Sequence, residues 1–391
     1  MRASRRRTAV AIVIAAAVLA SAAVIAVVAL PPSDEPGRVA AAPRATLTPE
    51  APVVSVRDAA LIDLRSGEPL VLDGVNWPGF EYACIQGRGH DDGGAEPAAV
   101  HAMLDWGVTA VRVPLNEQCW AENRPADAFG TAAGYRAAVD AWVTALTDAG
   151  LVVILDLHWS APDGELADGL RAMPSAASIP FWSSVAETYR KHRAVVFDLF
   201  NEPASIYDAD DRLVFELDWR CWAEGGCTPP VEALGEPLGG GTYPAVGMTE
   251  LLGAVRGAGA PQPAILGGID YANDLRGWLD AAPDDGQLIA GAHLYPDQRC
   301  ADETCWNAEL APLAEQVPLL VSEFGQSDGG DDHLRRAFAW SRENADGALA
   351  WAWWRIEAGG DEQDARFALV EGDDFAPRSP SGTALRELLG G

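Results

Sequence analysis

A chain of 391 residues, 49% of them hydrophobic, is long enough to bury one large core. It carries 57 acidic against 28 basic residues, a formal charge of −29, which argues against nucleic acid and anionic membrane surfaces as partners. Such a surface suits a soluble protein acting on a neutral ligand, and 14 tryptophans supply flat apolar faces for core or cleft.

Arg2, Arg5, Arg6 and Arg7 precede an unbroken apolar run from Ala9 to Leu30. The run exceeds an ordinary signal-peptide core and is about long enough to span a bilayer. Its basic flank predicts a cytoplasmic start and an exported remainder. Residues 1–30 therefore read as a cleaved signal peptide or a retained signal-anchor helix, and both remain open. Either way the rest of the chain is expected outside the cell, secreted or tethered to the outer face of the membrane. Residues 31–52 are rich in proline, alanine and charge without apolar periodicity, and read as a flexible linker.

From Val53 to Gly391 strand-like and helical runs alternate. The short pair VVSV and LIDL, near 53–64, predicts a small hairpin. Strands are predicted at 70–76, 108–114, 151–157, 194–200, 263–267, 287–294, 317–323 and 347–353. Helical periodicity lies near 95–106, 131–149, 176–192, 244–258, 306–315, 331–345 and 382–389. Eight strands separated by helices predict an α/β fold, a (β/α)8 barrel in one domain over 53–391.

Six cysteines follow an export signal, which predicts disulfides. Close spacing suggests Cys221–Cys227 and Cys300–Cys305 as loop staples and leaves Cys84–Cys119, although six cysteines allow about fifteen pairings. No CxxC and no HxH is present, so no metal site is expected.

In a barrel the C-terminal strand ends form one ring, and here they are polar. Asn76 and Trp77, Arg112, His158 and Trp159, Asn201 and Glu202, His293 and Tyr295, Glu323, and Trp353 all fall there. Each has a bland reading: a structural ion pair for Arg112, a satisfied core histidine for His158, core packing for the tryptophans. Recurrence at the same end of six strands is what those readings leave unexplained. Two glutamates close two separate strands, in VVFDLFNEP at 195–203 and VPLLVSE at 317–323, and paired carboxylates are the minimum equipment of a glycoside hydrolase.

GVNWPGFEY at 74–82, DLFNEP at 198–203, HLY at 293–295 and VSEFG at 321–325, with Arg112, His158 and a closing tryptophan strand, resemble glycoside hydrolase family 5. That is the cellulase family of retaining (β/α)8 barrels. The resemblance implies Glu202 as general acid/base, Glu323 as nucleophile and Asn201 as donor to the sugar 2-hydroxyl. It implies Tyr295 and Arg112 in contact with Glu323. His158 and His293 would line the −1 subsite, and an eighth-strand tryptophan, Trp353 or else Trp354, would form its floor. Trp77 and Trp159 are taken as further sugar-binding faces, and the loop 205–243 as one wall of the cleft.

The expected activity is endo-β-1,4-glucanase, with β-mannanase or exo-β-1,3-glucanase as alternatives on the same catalytic set. A non-catalytic carbohydrate-binding barrel is the alternative of another class. The partner expected is a β-linked poly- or oligosaccharide, met by a monomer whose chemistry needs neither metal nor organic cofactor. Any membrane contact would be through residues 1–30 alone.

Overall fold

The computed structural model describes residues 50–92, 96–122, 125, 127–354 and 366–391. The predicted apolar helix 1–30 and nearly all of the linker lie outside the described residues, and within them no helix is long and apolar enough to cross a membrane.

Eight parallel strands close into a barrel in which each pairs with the next and the last with the first. They are β1 (Gly74–Asn76), β2 (Ala110–Asn116), β3 (Val152–Trp159), β4 (Val195–Asp198), β5 (Ala264–Gly267), β6 (Leu288–Leu294), β7 (Leu319–Phe324) and β8 (Ala348–Ala350). All eight predicted runs contribute, although β1, β4 and β8 are shorter than their apolar patterns suggested. The fourth strand ends at Asp198 rather than at Phe200.

Period-two alternation sorts side chains into two cores. Ala110, Val152, Ile154, Val196, Ile265, Ile289, Leu320 and Leu349 fill the lumen. Their neighbours along each strand point outward and pack against the helices. Barrel closure brings β1 and β2 so near that a Cβ on Gly74 would lie 1.8 Å from the Ala110 carbonyl oxygen, so this site demands glycine.

The predicted hairpin forms between Val54–Arg57 and Ala60–Asp63. Val54, Leu61 and the nearby Leu72 join the luminal cluster. Its polar contacts are to residues just before strands: Val54 N–H donates to Arg193 (3.1 Å), Ser55 Oγ to Gln287 (3.0 Å) and Leu61 N–H to Asp346 (2.8 Å). It therefore plugs the N-terminal end of the barrel.

Helices follow most strands, and local chemistry explains their limits. Pro97–Trp106 begins with proline in its first turn and ends at left-handed Gly107 (φ 86°). Ala132–Asp148 is capped by Thr131, whose hydroxyl accepts from Gly134 N–H, and buries Tyr135, Val139, Trp142, Val143 and Leu146 on one face. Ser178–Tyr189, Met248–Gly257, Asp332–Asn344 and Ser381–Leu389 complete the long ones. The run 303–314 is one helical stretch widened to a π-turn over Trp306–Leu310. After β5 there are only short turns.

Disulfides join Cys84 to Cys119, Cys221 to Cys227 and Cys300 to Cys305.

Candidate active site

Continuing each strand upward from the luminal core, alternation carries Ala110 to Arg112, Ile154 to Asp156 and His158, and Val196 to Asp198. Arg112 is fully buried and makes four side-chain hydrogen bonds and a further ion-pair contact. Nε donates to Asp198 Oδ2 (2.8 Å). Nη1 donates to Asn76 Oδ1 (3.0 Å) and Glu323 Oε1 (2.6 Å). Nη2 donates to Asn201 Oδ1 (2.8 Å) and faces Asp156 Oδ1 at 3.1 Å. One cation thus knits β1, β2, β3, β4 and β7 beneath the opening. Burial works against its charge, but Asp156, Asp198 and Glu323 raise its pKa well beyond the ordinary arginine value. Burial also pushes Asp156 and Asp198 up to about 7, against the pull of Arg112.

Alternation alone misplaces the seventh strand. From Leu320 it would send Ser322 into the lumen and Glu323 out. The pairing of β6 with β7 slips at this point: Ala292 faces Val321, but His293 faces Glu323. The extra residue is a bulge, and it turns the Glu323 carboxylate inward. There Glu323 accepts from Arg112 and, through Oε2, from the Tyr295 hydroxyl (2.8 Å). Burial first, then the Glu323 and Glu202 charges, raises the Tyr295 phenol well above its usual value, so it stays a donor.

Glu202 stands opposite, past the end of β4. Its Oε1 shares a hydrogen bond with His293 Nδ1 (2.8 Å), which also lies 3.6 Å from Glu323 Oε2. An oxygen of each glutamate and a His293 nitrogen all lie within 4.8 Å of one another. Burial pushes Glu202 up to about 7. Its side chain is 13% exposed against 5% for Glu323, so it is the more open of the two. Burial lowers His293 to about 3 and His158 to about 4, leaving both imidazoles neutral at neutral pH. His158 Nδ1 is held by Asp156 Oδ2 (2.7 Å).

Both glutamates open into a cavity of about 650 Å³ lined also by His158, Asn201 and Tyr295. A second hollow of about 720 Å³ lies between the loops after β2 and β3. Its buried acid, Glu117, is pushed up to about 7 by burial and is tied to Ala161 N–H and Ser178 Oγ, with Glu122, Asp163 and Glu165 elsewhere in the lining.

The tryptophans require correction. Trp353 does not floor the cavity: it is 2% exposed and packs against Trp106 (4.7 Å) and Phe375 (6.2 Å) in the outer core. Trp354 is not among the lining residues either, and its ring lies 6.1 Å from Tyr82. The cavity tryptophan is Trp351, stacked on His158 at 5.4 Å with 6° between planes. The strand ends at Ala350, so alternation no longer governs WAWW. Trp77 is also no sugar face: one residue past inward Asn76, it turns outward, buried against Trp142 at 4.5 Å with its Nε1 donating to Asp91. Trp159 is half-buried beside Tyr82 (6.1 Å), outside the lining. None of the lining residues comes from 205–243, so that loop is not a wall of this cavity. Its Trp222 docks on β5 instead, Nε1 donating to the Gly267 carbonyl (2.9 Å).

Sequence reasoning also passed over Asp156, Asp198, Asp270, Tyr271, Asp297 and Phe367. The two aspartates were within reach, each lying an even number of residues along its strand from a luminal position. The others sit on loops, where no period applies.

A family model of the cellulases, glycosyl hydrolase family 5, matches residues 66–357. Among solved structures, a β-glucanase from Saccharophagus degradans superposes with a TM-score of 0.63 at 17% identity, over 87% of this chain and 93% of that one. A hyperthermophilic endocellulase from the archaeon Pyrococcus horikoshii gives 0.62 at 18% identity, over 88% and 100%. The catalytic domain of the major endoglucanase from Xanthomonas campestris gives 0.61 at 19%, over 86% and 100%. At such identities the superpositions speak for the fold, while the family model spans most of the chain and includes both cavity glutamates. The chain therefore belongs to the cellulase family, glycosyl hydrolase family 5, and is a glycoside hydrolase.

Proposed function

We propose that the protein is an exported endo-β-1,4-glucanase that works by double displacement with retention of configuration. The observation that carries the mechanism is the approach of Glu202 and Glu323 oxygens to within 4.8 Å across the cavity. An inverting enzyme needs roughly 6.5–9.5 Å to admit water between its carboxyls.

Glu323 is the nucleophile. Donors on both its oxygens match a carboxylate, and its attack on the anomeric carbon forms a glycosyl ester as the glycosidic bond breaks. Glu202 is the general acid/base. Burial keeps it protonated up to about pH 7, so it passes its proton to the departing oxygen. It then takes a proton from the water that cleaves the ester. Asn201, held by Arg112, offers its amide nitrogen to the sugar 2-hydroxyl; His158 and Trp351 line the −1 site.

The glucan reading is supported by the family and by a β-glucanase of similar fold from Saccharophagus degradans, known in complex with cellotetraose (18% identity, TM-score 0.63). Export is supported by the basic, apolar N-terminal run and by three disulfides, which suit an oxidising compartment.

The test is a panel of cellulose, mannan, laminarin and aryl glycosides with wild type, Glu202→Gln and Glu323→Ala. The expected outcome is cleavage of β-1,4-glucan with the β-anomer released first, and loss of hydrolysis in both variants with the fold intact. Initial release of the α-anomer, or activity retained in both variants, would remove the mechanism. Preference for mannan or laminarin would change the substrate alone.

A further inference from the structure

β6 outruns its neighbour. It pairs with β5 from Leu288 to Gly291, but β5 ends at Gly267 while β6 continues to Leu294. Carbonyls two residues apart share one edge of a strand. On the edge facing β5, Gly291 accepts from Gly268 N–H (3.3 Å). The next carbonyl on that edge, His293, accepts from a side chain instead, Asn273 Nδ2 (2.9 Å). Asn273 therefore takes the place of a β5 residue beside the segment that carries His293.

Asp270, Tyr271 and Ala272 lead into it with three left-handed backbones, at φ 56°, 59° and 55°. Non-glycine residues avoid that region unless their surroundings impose it. Ile269 and Asp274 close the turn with reciprocal N–H···O bonds of 3.1 and 2.9 Å, and Tyr271 N–H donates to the Pro203 carbonyl (3.2 Å). Asn273 itself is 1% exposed. Its second Nδ2 hydrogen goes to Gln298 Oε1 (2.9 Å), and its Oδ1 accepts from Cys300 N–H (2.7 Å). Gln298 Oε1 also accepts from the N–H of Tyr295 (3.1 Å), the first residue past the end of β6. The backbone N–H groups of Cys300 and Tyr295 each require an oxygen, so neither amide can be flipped. A relay thus runs from Asn273 through Gln298 to the Tyr295 backbone, and the Tyr295 hydroxyl ends on Glu323 Oε2 (2.8 Å).

We propose that Asn273 is a positioning residue for the glycosidase reaction, aiming the Tyr295 hydroxyl at Glu323 through Gln298. The role rests on the retaining reading above and adds to it a residue buried outside the cavity lining. Past Leu294 the strand ladder no longer fixes the chain, and a displacement of about 1 Å at a reacting group costs up to roughly a hundredfold in rate. Cys300 is held independently, by its bridge to Cys305 and by Trp306 Nε1 donating to its carbonyl (2.9 Å), so the loop keeps an anchor when the Asn273 amide is removed.

The experiment is a double-mutant cycle on dinitrophenyl β-cellobioside, whose leaving group needs no protonation, so that kcat/KM reads the attack of Glu323. Asn273→Ala is expected to lower kcat/KM about tenfold or more with Tyr295 in place. In the Tyr295→Phe background, where the hydroxyl it aims is gone, the loss should be less than about twofold. Gln298→Ala breaks the same relay in a half-buried loop residue and should show the same pattern, which keeps the test decisive should Asn273→Ala not fold. A role in stability alone would lower both backgrounds by the same factor. Equal losses in the two backgrounds, or no loss with Tyr295 present, would overturn the proposal. Wild type inactive on both this glycoside and cellopentaose would instead remove the glycosidase reading beneath it.

Discussion

Asp156, Asp198 and Glu323 share a single counter-ion, so Arg112 carries both the fold and the site. Replacing it with methionine leaves three buried carboxyls without a cation, and stability should fall by about 3–5 kcal/mol in urea unfolding, the usual cost of breaking a buried pair. Lysine, with three donors and no planar fork, should recover little of it. Trp351 and Trp353 offer a contrast two residues apart. Trp353→Ala should cost about 3–5 kcal/mol, because its ring is core. Trp351→Ala should cost far less stability and raise KM, because its ring faces the cavity. If the two variants behaved alike in melting and kinetics, the placement of the strand-eight tryptophans would be wrong. The pH profile also belongs to a residue. As Glu202 loses its proton near pH 7, kcat/KM on an unactivated glycoside should decline on the alkaline side. Glu202→Gln assayed on the dinitrophenyl glycoside should show no such limb. At this scale the sequence was legible where alternation or a motif governs: Arg112, His158 and the Glu202 segment stand where those cues put them. It was illegible where a bulge or a strand end breaks the period, as at Glu323 and Trp351. Glu323 was found through its motif, and Trp351 was missed for want of one.

Elements were easier to read than their joints. The eight strands, the first hairpin and the main helices announce themselves because burial imposes periods of two and 3.6 residues over several turns. The left-handed turn at 270–272 and the docking of the loop 205–243 do not, since each is set by partners distant in sequence. The disulfides show how an element's worth follows from the chain it closes. Cys84 and Cys119 are 35 residues apart and tie the loop after β1 to the end of β2. Loop entropy gives that bridge roughly 4 kcal/mol, against about 2 kcal/mol for one as short as Cys300–Cys305. Alanine pairs at each site should therefore rank in that order by calorimetry, with the first showing the larger drop in Tm; the reverse order would mean that local packing outweighs chain entropy.

The whole molecule combines a charge of −29 with several acids withdrawn from water. Burial pushes Glu81 up to about 8, and Glu117, Asp156 and Asp198 up to about 7. A carboxyl with its folded pKa above its unfolded value of about 4 binds its proton more tightly in the native state. The stability this brings is complete below about pH 4 and is lost as pH rises through about 7 to 8. Surface repulsion grows in the same direction. Tm should therefore decline between about pH 6 and pH 9, most steeply at low salt; a rising Tm over that window would show that these acids are paired or hydrated in ways the geometry does not reveal.

The plug at the barrel's N-terminal end settles one matter of orientation. The chain passes from Glu50 directly into that hairpin, whereas both glutamates stand at the far rim. A tag or support coupled at Glu50 would therefore sit at the barrel end opposite the cavity and leave its mouth unobstructed.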